Sequence, residues 1–383
     1  MKSLFLLNPD ITFLNFGSFG ACPKPIFEVY QDWQVKLERE PVQFIVKTAI
    51  DALENVRQEL SAFVGCAQED LVLVTNPSYA INTIAKSFPL QAGDEILATN
   101  LEYGACDRTW EYYCTQRGAR YIRQEIPLPI RSKEHFMEAF WKGYSKRTKA
   151  IFISHITSAT GLILPVKELC AEAKARGLIT IVDGAHVPGH IPLHLGELQA
   201  DIYTGACHKW MMGPKGSSFL YVHKTHQAWV DPLVISWGYR SPTPSESLFI
   251  DWHQTSGTRD YAAFLSLPAC LQFREAHGWD EVSAACKALV RRHAPRFCAL
   301  METEALAPIS EEWLGQMFSI PIKTNQPLEL KRLLYEAYRI EIPVTEYNGR
   351  NCLRYSIQGF NTEQDLDTLY QAMEALKKEG IIY

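Results

Sequence analysis

Short apolar runs alternate with amphipathic stretches between residues 71 and 222, and this alternation constrains the fold more than any other feature. Such runs are too short for helices and carry almost no charge, which is typical of strands buried on both faces of a parallel sheet. The intervening stretch Pro165–Arg176 has proline in its first turn and glycine just past its end, as helices do. The predicted strands cover 71–75, 95–99, 150–154, 179–182, 201–204 and 219–222. The pattern therefore predicts an α/β fold made of βαβ units.

The pattern changes after about residue 265, and this change predicts the domain organisation. A chain of 383 residues is longer than a single compact core usually holds. The remainder is rich in helices with two or three strands, and it closes with a helix from Asn361 to Lys378, with Asn361 as its N-cap. We expect an N-terminal segment over 1–40 that contributes to the small lobe and the edge of the active site. A large domain over 41–265 and a small C-terminal α+β domain over 266–383 follow.

Charge and composition argue against several kinds of partner. The 38 Lys and Arg residues are outnumbered by 43 Asp and Glu, so no concentrated basic surface for nucleic acid is expected. No apolar run reaches the ~18–20 residues that span a bilayer, and the run Leu4–Leu7 is too short for a secretory signal. The ten cysteines are scattered without a CxxC pair, which favours buried thiols over disulfides or a zinc site. We therefore expect a cytoplasmic protein without a metal, a membrane or a nucleic acid as partner.

Four of the predicted strands end in polar residues that a purely structural core would not require. Ligands of an open parallel sheet bind at the carboxyl ends of its strands. The first end opens onto a helix and suits a phosphate, because the free N–H groups and the helix dipole favour an anion. The second offers an aromatic face, the third a carboxylate and the fourth an amine. These ends are Asn76-Pro77-Ser78, Glu102-Tyr103-Gly104, Asp183-Gly184-Ala185-His186 and His208-Lys209-Trp210.

Together, these four groups match the requirements of pyridoxal phosphate. A lysine amine forms a Schiff base with the cofactor aldehyde. A carboxylate keeps the pyridine nitrogen protonated, and an aromatic side chain stacks on the ring. No single group is specific, but their order and their positions at strand ends make the combination specific. The sequence therefore predicts pyridoxal 5′-phosphate as the cofactor.

The chain resembles the class V aminotransferase family of fold-type-I pyridoxal-phosphate enzymes, and within it the isopenicillin N epimerase-like branch. The resemblance runs from Phe13-Leu14-Asn15-Phe16-Gly17 to Arg354-Tyr355-Ser356. Its most specific part is the motif Asp183-Gly184-Ala185-His186 followed by His208-Lys209. The resemblance implies a large, mostly parallel sheet with helices on both faces, a smaller α+β lobe, and a homodimer with shared active sites.

The resemblance also implies roles for individual residues. Lys209 would form the Schiff base and carry protons, Asp183 would pair with the pyridinium, and Tyr103 would stack on the ring and take part in catalysis. Arg354 would clamp the substrate α-carboxylate in a two-pronged contact. Further substrate contacts are expected from Asn15 and Arg259. Further cofactor contacts are expected from Ser78, the backbone of Tyr79, Ser158, His186, His208 and Thr258.

Two of these expectations concern the surroundings of the site. Thr258 would reach the phosphate of the partner subunit, which makes the homodimer a requirement. In contrast, His155, Trp210 and Trp237 are interpreted as packing residues.

The residues leave the reaction open, because the same cofactor supports epimerisation, transamination and β-elimination. Our first hypothesis is epimerisation or transamination at the α-carbon of an amino acid or small peptide. The alternative is a lyase that cleaves the C–S bond of cysteine or a cysteine conjugate. A persulfide-forming desulfurase is not expected, since the segment 342–351 has no cysteine and Cys352 is predicted to face the core. A non-enzymatic binding or regulatory protein would usually carry a DNA-binding appendage or lack the lysine, and this chain does neither.

Overall fold

The computed structural model describes residues 1–383, and its strands form three sheets. The largest sheet has seven strands, a second has three, and the third is a two-stranded pair. The strands, numbered in chain order, are β1 (Thr12–Phe13), β2 (Leu71–Val74), β3 (Glu95–Thr99), β4 (Arg120–Gln124), β5 (Thr148–Ser154), β6 (Ile179–Asp183), β7 (Ile202–Ala206), β8 (Ser218–Val222), β9 (Met317–Ile322), β10 (Ile340–Glu341), β11 (Val344–Tyr347) and β12 (Arg350–Ser356).

Helices connect and cover these strands. A π-helical stretch, Phe44–Thr48, precedes the fourth α-helix, and short 3₁₀ turns lie at Lys2–Leu4, Gln68–Asp70 and Lys224–Trp229. The α-helices are α1 (Phe16–Phe19), α2 (Lys24–Arg39), α3 (Pro41–Gln43), α4 (Ala49–Val64), α5 (Pro77–Ser87), α6 (Gly104–Gln116), α7 (Lys133–Trp141), α8 (Val166–Ala175), α9 (Leu195–Leu198), α10 (Leu248–Gln254), α11 (Ala262–Leu265), α12 (Leu267–Ala276), α13 (Trp279–Met301), α14 (Pro327–Glu336) and α15 (Glu363–Lys378).

The large sheet confirms the predicted α/β architecture. Its order is β2-β8-β7-β6-β5-β3-β4, and every pair between β7 and β4 is parallel. β8 is antiparallel to both of its neighbours, so β2 runs in the same direction as β7. Two hydrophobic clusters, one on each face of the sheet, pack it against helices. The carboxyl ends of β2, β3, β6 and β7 therefore meet at one edge, where the sequence predicted the site.

The smaller sheet is antiparallel and lies in the C-terminal part of the chain, in the order β11-β12-β9. The N-terminal β1 pairs in parallel with β10, which follows α14. The Ser356 N–H also donates to the Leu14 carbonyl at 2.8 Å. These pairings support the expectation that the N-terminal segment contributes to the smaller lobe, while the domain bounds themselves stay a prediction.

The predicted N-cap of the last helix is wrong by one residue. α15 begins at Glu363, and Thr362 caps it in a reciprocal capping box with Asp365. The Asn361 side chain instead donates to the Phe13 carbonyl at 3.0 Å and to Asp365 Oδ2 at 3.1 Å. A threonine followed three residues later by an acid satisfies two helix-end donors at once, so it prevails over the single cap that asparagine offers.

Burial agrees with most of the expectations for apolar residues. All ten cysteines are free thiols, and all except Cys22 and Cys66 are buried. Trp210 and His155 are buried as well, whereas Trp237 is 85% exposed, so its interpretation as a packing residue is wrong.

None of the helices combines the length and the apolar character that crossing a bilayer requires.

Candidate active site

The predicted catalytic residues come from the strand ends that meet at one edge of the large sheet. Asp183 is the last residue of β6, Lys209 follows β7, and Tyr103 is the residue just before α6. Arg354 belongs to β12 of the smaller sheet and lies close enough to Lys209 for its positive charge to lower the pKa of that amine. The fold therefore brings an acid, an amine and a guanidinium close together at one edge of the large sheet.

The Asp183 carboxylate is buried and only partly satisfied. Asp183 is 3% exposed, and its Oδ1 accepts the Ala185 N–H at 2.9 Å. The nearest donor to Oδ2 is the Cys106 thiol, with Sγ at 3.6 Å. Burial raises the pKa of Asp183, while the Ala185 hydrogen bond and the charge of Lys209 oppose that shift. Because a thiol is a weak donor, Oδ2 can still accept a strong N–H donor from a ligand.

The Lys209 amine faces a histidine and lies in a setting that disfavours its charge. Its Nζ is 3.1 Å from Nε2 of His186. The pKa of Lys209 is lowered to about 8, mainly by burial; the charge of Asp183 opposes this shift, and the charge of Arg354 adds to it. An amine with this pKa can lose its proton near neutral pH, which a lysine nucleophile or proton carrier requires.

His186 is held by buried neighbours. Its backbone carbonyl accepts Nδ1–H of His190 at 2.9 Å, and its own Nδ1 is 3.4 Å from the Trp210 indole nitrogen. The Trp210 ring stacks on His190 with the centroids 4.0 Å apart. Burial lowers the pKa of His186 well below its ordinary value, and the charges of Lys209 and Arg354 add to this effect. The imidazole is therefore neutral.

Arg354 is buried but unequally satisfied. The residue is 2% exposed, Nη2 donates to Ser18 Oγ at 3.1 Å, and Nη1 donates to the Ser158 carbonyl. Nε has no partner at all. Burial lowers the pKa of Arg354 to about 10, so the group stays charged at neutral pH. A buried cation with an unused N–H is suited to an anionic ligand such as a carboxylate.

Asn15 is connected to this guanidinium through one intermediate side chain. Ser18 Oγ donates to Asn15 Oδ1 at 2.5 Å, and Asn15 Nδ2 donates to Glu341 Oε1 at 3.2 Å. Gly20 brings this segment against the lysine loop: its φ is +65°, and a Cβ there would lie 2.2 Å from the His208 carbonyl oxygen. Only glycine tolerates that contact, so the N-terminal segment is fixed beside Lys209.

The turn predicted to hold a phosphate opens α5. Asn76 is the N-cap, and its Oδ1 accepts the Tyr79 N–H at 2.8 Å, while Ser78 lies in the first turn. A phosphate contact from the Tyr79 backbone would therefore compete with the cap. His208 has Nδ1 3.2 Å from the Ser217 carbonyl, and burial lowers its pKa to about 4. This neutral ring donates through Nδ1 and leaves Nε2 as an acceptor.

The Thr258–Arg259 turn lies near the start of α5. Burial raises the pKa of Tyr79, while the Ser256 hydroxyl and the charge of Arg259 oppose that shift, so all three lie close together. The Arg259 guanidinium sits over the Phe264 ring, 4.4 Å from its centroid. Thr258 is exposed. The substrate role of Arg259 stays a prediction.

Three residues of the site were missed by reasoning from the sequence. Ser18 links Asn15 to Arg354, and Cys106 lies beside Asp183. Glu102 accepts three hydrogen bonds, from Thr99 Oγ1 at 2.5 Å and from the Ser154 N–H and hydroxyl at 2.8 and 2.6 Å. Burial raises the pKa of Glu102 to about 7. A signal existed for Glu102, since a carboxylate next to the predicted ring-stacking residue is unusual in a buried strand end.

The donor set fits the predicted cofactor. Asp183 Oδ2 can accept a pyridinium N–H, Lys209 offers an amine of lowered pKa, and Tyr103 presents a side chain that is 46% exposed at the same edge. The Nε–H of Arg354 has no partner and can donate to the carboxylate of an amino acid. These residues would hold the cofactor's ring nitrogen, its aldehyde carbon and one ring face.

The chain is similar to known proteins over most of its length. The family profile described as Aminotransferase class-V matches residues 24–369. The chain is 33% identical to an isopenicillin N epimerase of Streptomyces clavuligerus, over 99% of this chain and 98% of that protein. It is 26% identical to a probable chloroplastic L-cysteine desulfhydrase of Arabidopsis thaliana, over 97% of this chain and 84% of the relative.

A solved structure has the same fold. It is a variant of C-DES with glycine covalently linked to its PLP cofactor, and it superposes with a TM-score of 0.83. The alignment covers 98% of this chain and 99% of that one, at 19% identity. This similarity confirms the predicted fold class.

Proposed function

This chain belongs to the class-V aminotransferase family, and we propose that it acts at the α-carbon of an amino acid or a small peptide, by epimerisation or transamination. It is an enzyme whose cofactor is pyridoxal 5′-phosphate, as the sequence predicted. When bound, this group withdraws electrons from the α-carbon of an attached amino acid, so that the α-proton becomes acidic. The similarity to the Streptomyces epimerase over nearly the whole of both chains supports the epimerase-like branch.

The observation that carries the proposal is the Lys209 amine, whose pKa is lowered by burial and on which the charges of Asp183 and Arg354 act. Lys209 would anchor the cofactor at rest and then remove the α-proton. Asp183 would hold the ring nitrogen's proton through its open Oδ2, since its other oxygen is taken by Ala185. Arg354 would bind the α-carboxylate, and its unpartnered Nε is the donor that is free to do so.

The two preferred reactions differ in where the proton returns. Epimerisation needs a second proton carrier on the face opposite Lys209, and the exposed Tyr103 or a bound water is our candidate. Transamination needs only Lys209, which would deliver the same proton to the cofactor's aldehyde carbon. Ser78 and Thr258 would hold the phosphate, and His208 would do so with a proton that the phosphate charge keeps on its Nε2. Ser158 and His186 would lie near the ring hydroxyl.

A C–S lyase is the alternative, and the similarity to the Arabidopsis desulfhydrase favours it. Such a reaction would use Lys209 in the same way and would release the sulfur-bearing group from the β-carbon. A persulfide-forming desulfurase is disfavoured, because Cys352 is buried in β12 and points no thiol into solvent.

The experiment is a product assay over a panel of amino acids and small peptides, with and without a keto acid acceptor. Inverted stereochemistry indicates the epimerase, keto acid formed only with an acceptor indicates the aminotransferase, and released sulfide indicates the lyase. Lys209→Ala should reduce solvent exchange of the substrate α-proton by roughly 10²–10⁴-fold, as loss of a general base does. The exposed Lys224→Ala is the matched control. Unchanged exchange in Lys209→Ala would refute the proposed function.

A further inference from the structure

Two hydrogen-bond contacts lead from Trp210 through His186 to the amine of Lys209. The indole Nε1 lies 3.4 Å from His186 Nδ1, and His186 Nε2 lies 3.1 Å from Lys209 Nζ. Trp210 is 0% exposed and His186 2% exposed, so neither ring exchanges its partner for bulk water. The protonation pattern of the three groups is therefore fixed by their own donors and acceptors.

The donors and acceptors in these two contacts allow only one arrangement of protons. An indole N–H can only donate, so Nδ1 of His186 must accept. His186 is neutral, because burial, the largest cause, and the nearby charge of Arg354 lower its pKa well below the ordinary value. A neutral imidazole with an acceptor at Nδ1 carries its proton on Nε2, which then donates toward Lys209. The Lys209 amine must offer a lone pair in return, and only the uncharged amine has one.

We propose that Trp210 is a positioning residue that locks His186 in its Nε2–H tautomer and thereby stabilises the uncharged form of the Lys209 amine. This is the form that can bond to an aldehyde, so the inference rests on the proposed function for the identity of that aldehyde. Sequence reasoning assigned Trp210 to packing alone, whereas its N–H acts on the site.

His190 holds the rings of Trp210 and His186 in position. Its Nδ1–H donates to the His186 carbonyl at 2.9 Å, and its Nε2 accepts the Gln316 N–H at 2.6 Å. Its ring stacks on Trp210 at 4.0 Å. Both nitrogens are thus occupied, and burial lowers the pKa of His190 to about 3, so this ring stays neutral. The Trp210 indole and the His186 imidazole cannot rotate away from each other without breaking these contacts.

Other titratable groups around Lys209 also affect its pKa. Burial is the main cause of its lowered pKa, Arg354 of β12 lowers it further, and Asp183 of β6 raises it. Cys106 of α6 is neutral, because burial raises its pKa. His208 beside Lys209 is neutral as well, since burial lowers its pKa to about 4. Asp183 alone would favour an ammonium, and the tautomer lock opposes it.

The test compares Trp210→Phe with Trp110→Phe. Phenylalanine keeps a ring against His190 and removes the N–H, while Trp110 is an equally buried tryptophan whose Nε1 has no partner. Pyridoxal phosphate is added to the cofactor-free full-length chain at a series of pH values. Attachment to Lys209 is trapped by borohydride reduction and located by peptide mass spectrometry. In wild type, the rate should rise with a midpoint near the Lys209 pKa of about 8.

In Trp210→Phe, the Nδ1–H tautomer becomes available and Nε2 can accept a proton from an ammonium. The midpoint should then rise by roughly half a pH unit or more, as expected for a hydrogen bond to a charged group. It should stay unchanged in Trp110→Phe. An unchanged midpoint in a folded Trp210→Phe protein would overturn the inference.

A second measurement does not depend on a variant that folds. Nitrogen-15 spectra of wild-type protein labelled at histidine distinguish a protonated Nε2 from a protonated Nδ1, and His186→Gln identifies the signal. A proton on Nε2 is expected, and a proton on Nδ1 would overturn the lock. If pyridoxal phosphate attaches to Lys209 in none of the proteins, the proposed function fails, while these spectra still decide the tautomer.

Discussion

Arg354 shows how a single buried side chain prepares a site for an anion. Its Nη groups are bonded to Ser18 and Ser158, but its Nε has no partner. We predict that Arg354→Ala weakens substrate binding by ~2–5 kcal/mol, because the α-carboxylate loses its charge partner in a buried pocket. Arg354→Lys should recover part of this loss, since an ammonium restores the charge without the planar fork. KM measurements with both variants check the prediction, and equal turnover of amino acids and of the corresponding amines by wild type would contradict it.

Individual residues of the site were predictable where the strand pattern fixed their place. Asp183 and Lys209 follow apolar runs, so their position at the sheet edge could be derived from the order of the residues alone. The role of Trp210 could not, because an indole N–H becomes informative only when its partner is known. Ser18 and Cys106 escaped for a similar reason, since each acts on a residue far away in the sequence.

At the scale of elements, hydrogen bonds to Glu102 connect the ends of β3 and β5, next to the end of β6. Its carboxylate accepts from Thr99 at the end of β3 and from Ser154 at the end of β5, and Ser154 lies opposite Asp183 in the strand register. The folded-state pKa of Glu102 is raised from 4.5 to about 7 by burial, so its stabilising contribution is present below pH 4.5 and is lost as the pH rises to about 7. Ionisation of Glu102 therefore costs the folded state at most roughly 3 kcal/mol.

Glu102→Gln removes this titration and keeps most of the hydrogen bonds, because an amide both accepts and donates and hydroxyls can rotate. We predict that the stability of the Gln variant relative to wild type increases from pH 5 to pH 7 and is constant above it. Thermal unfolding midpoints at several pH values measure this difference. The exposed Glu125→Gln is the control and should show no such trend. A difference that does not vary with pH would contradict a raised pKa.

Sequence reasoning missed two elements that have no distinct pattern of apolar residues. β4 escaped because it is an edge strand whose residues are exposed or only partly buried, so it lacks a continuous apolar run. The π-helical stretch Phe44–Thr48 also has no distinct signature in sequence. Central strands such as β3 and β6 were located to within one residue, because burial on both faces makes their composition unambiguous.

At the scale of the whole molecule, the predicted homodimer bears on the phosphate site. Thr258 is exposed, as a residue that contacts a second subunit would be before assembly. Its neighbour Arg259, however, lies near Tyr79 of the same chain, at the start of α5. We predict that Thr258 acts on the partner's cofactor, so that dilution to monomer releases pyridoxal phosphate. Cofactor fluorescence measured alongside mass photometry follows both events, and a monomer that keeps its cofactor would contradict the prediction.

Mixed dimers separate the two placements of Thr258. A dimer of one Lys209→Ala chain and one Thr258→Val chain has a single competent lysine, which lies in the chain with valine at 258. If Thr258 acts across the interface, the intact threonine of the Lys209→Ala chain serves that site, and cofactor affinity stays as in wild type. If it acts within its own chain, the only competent site lacks the hydroxyl and should lose cofactor several-fold faster. Thr243→Val, at another exposed threonine, replaces Thr258→Val in the control dimer and should change nothing in either case.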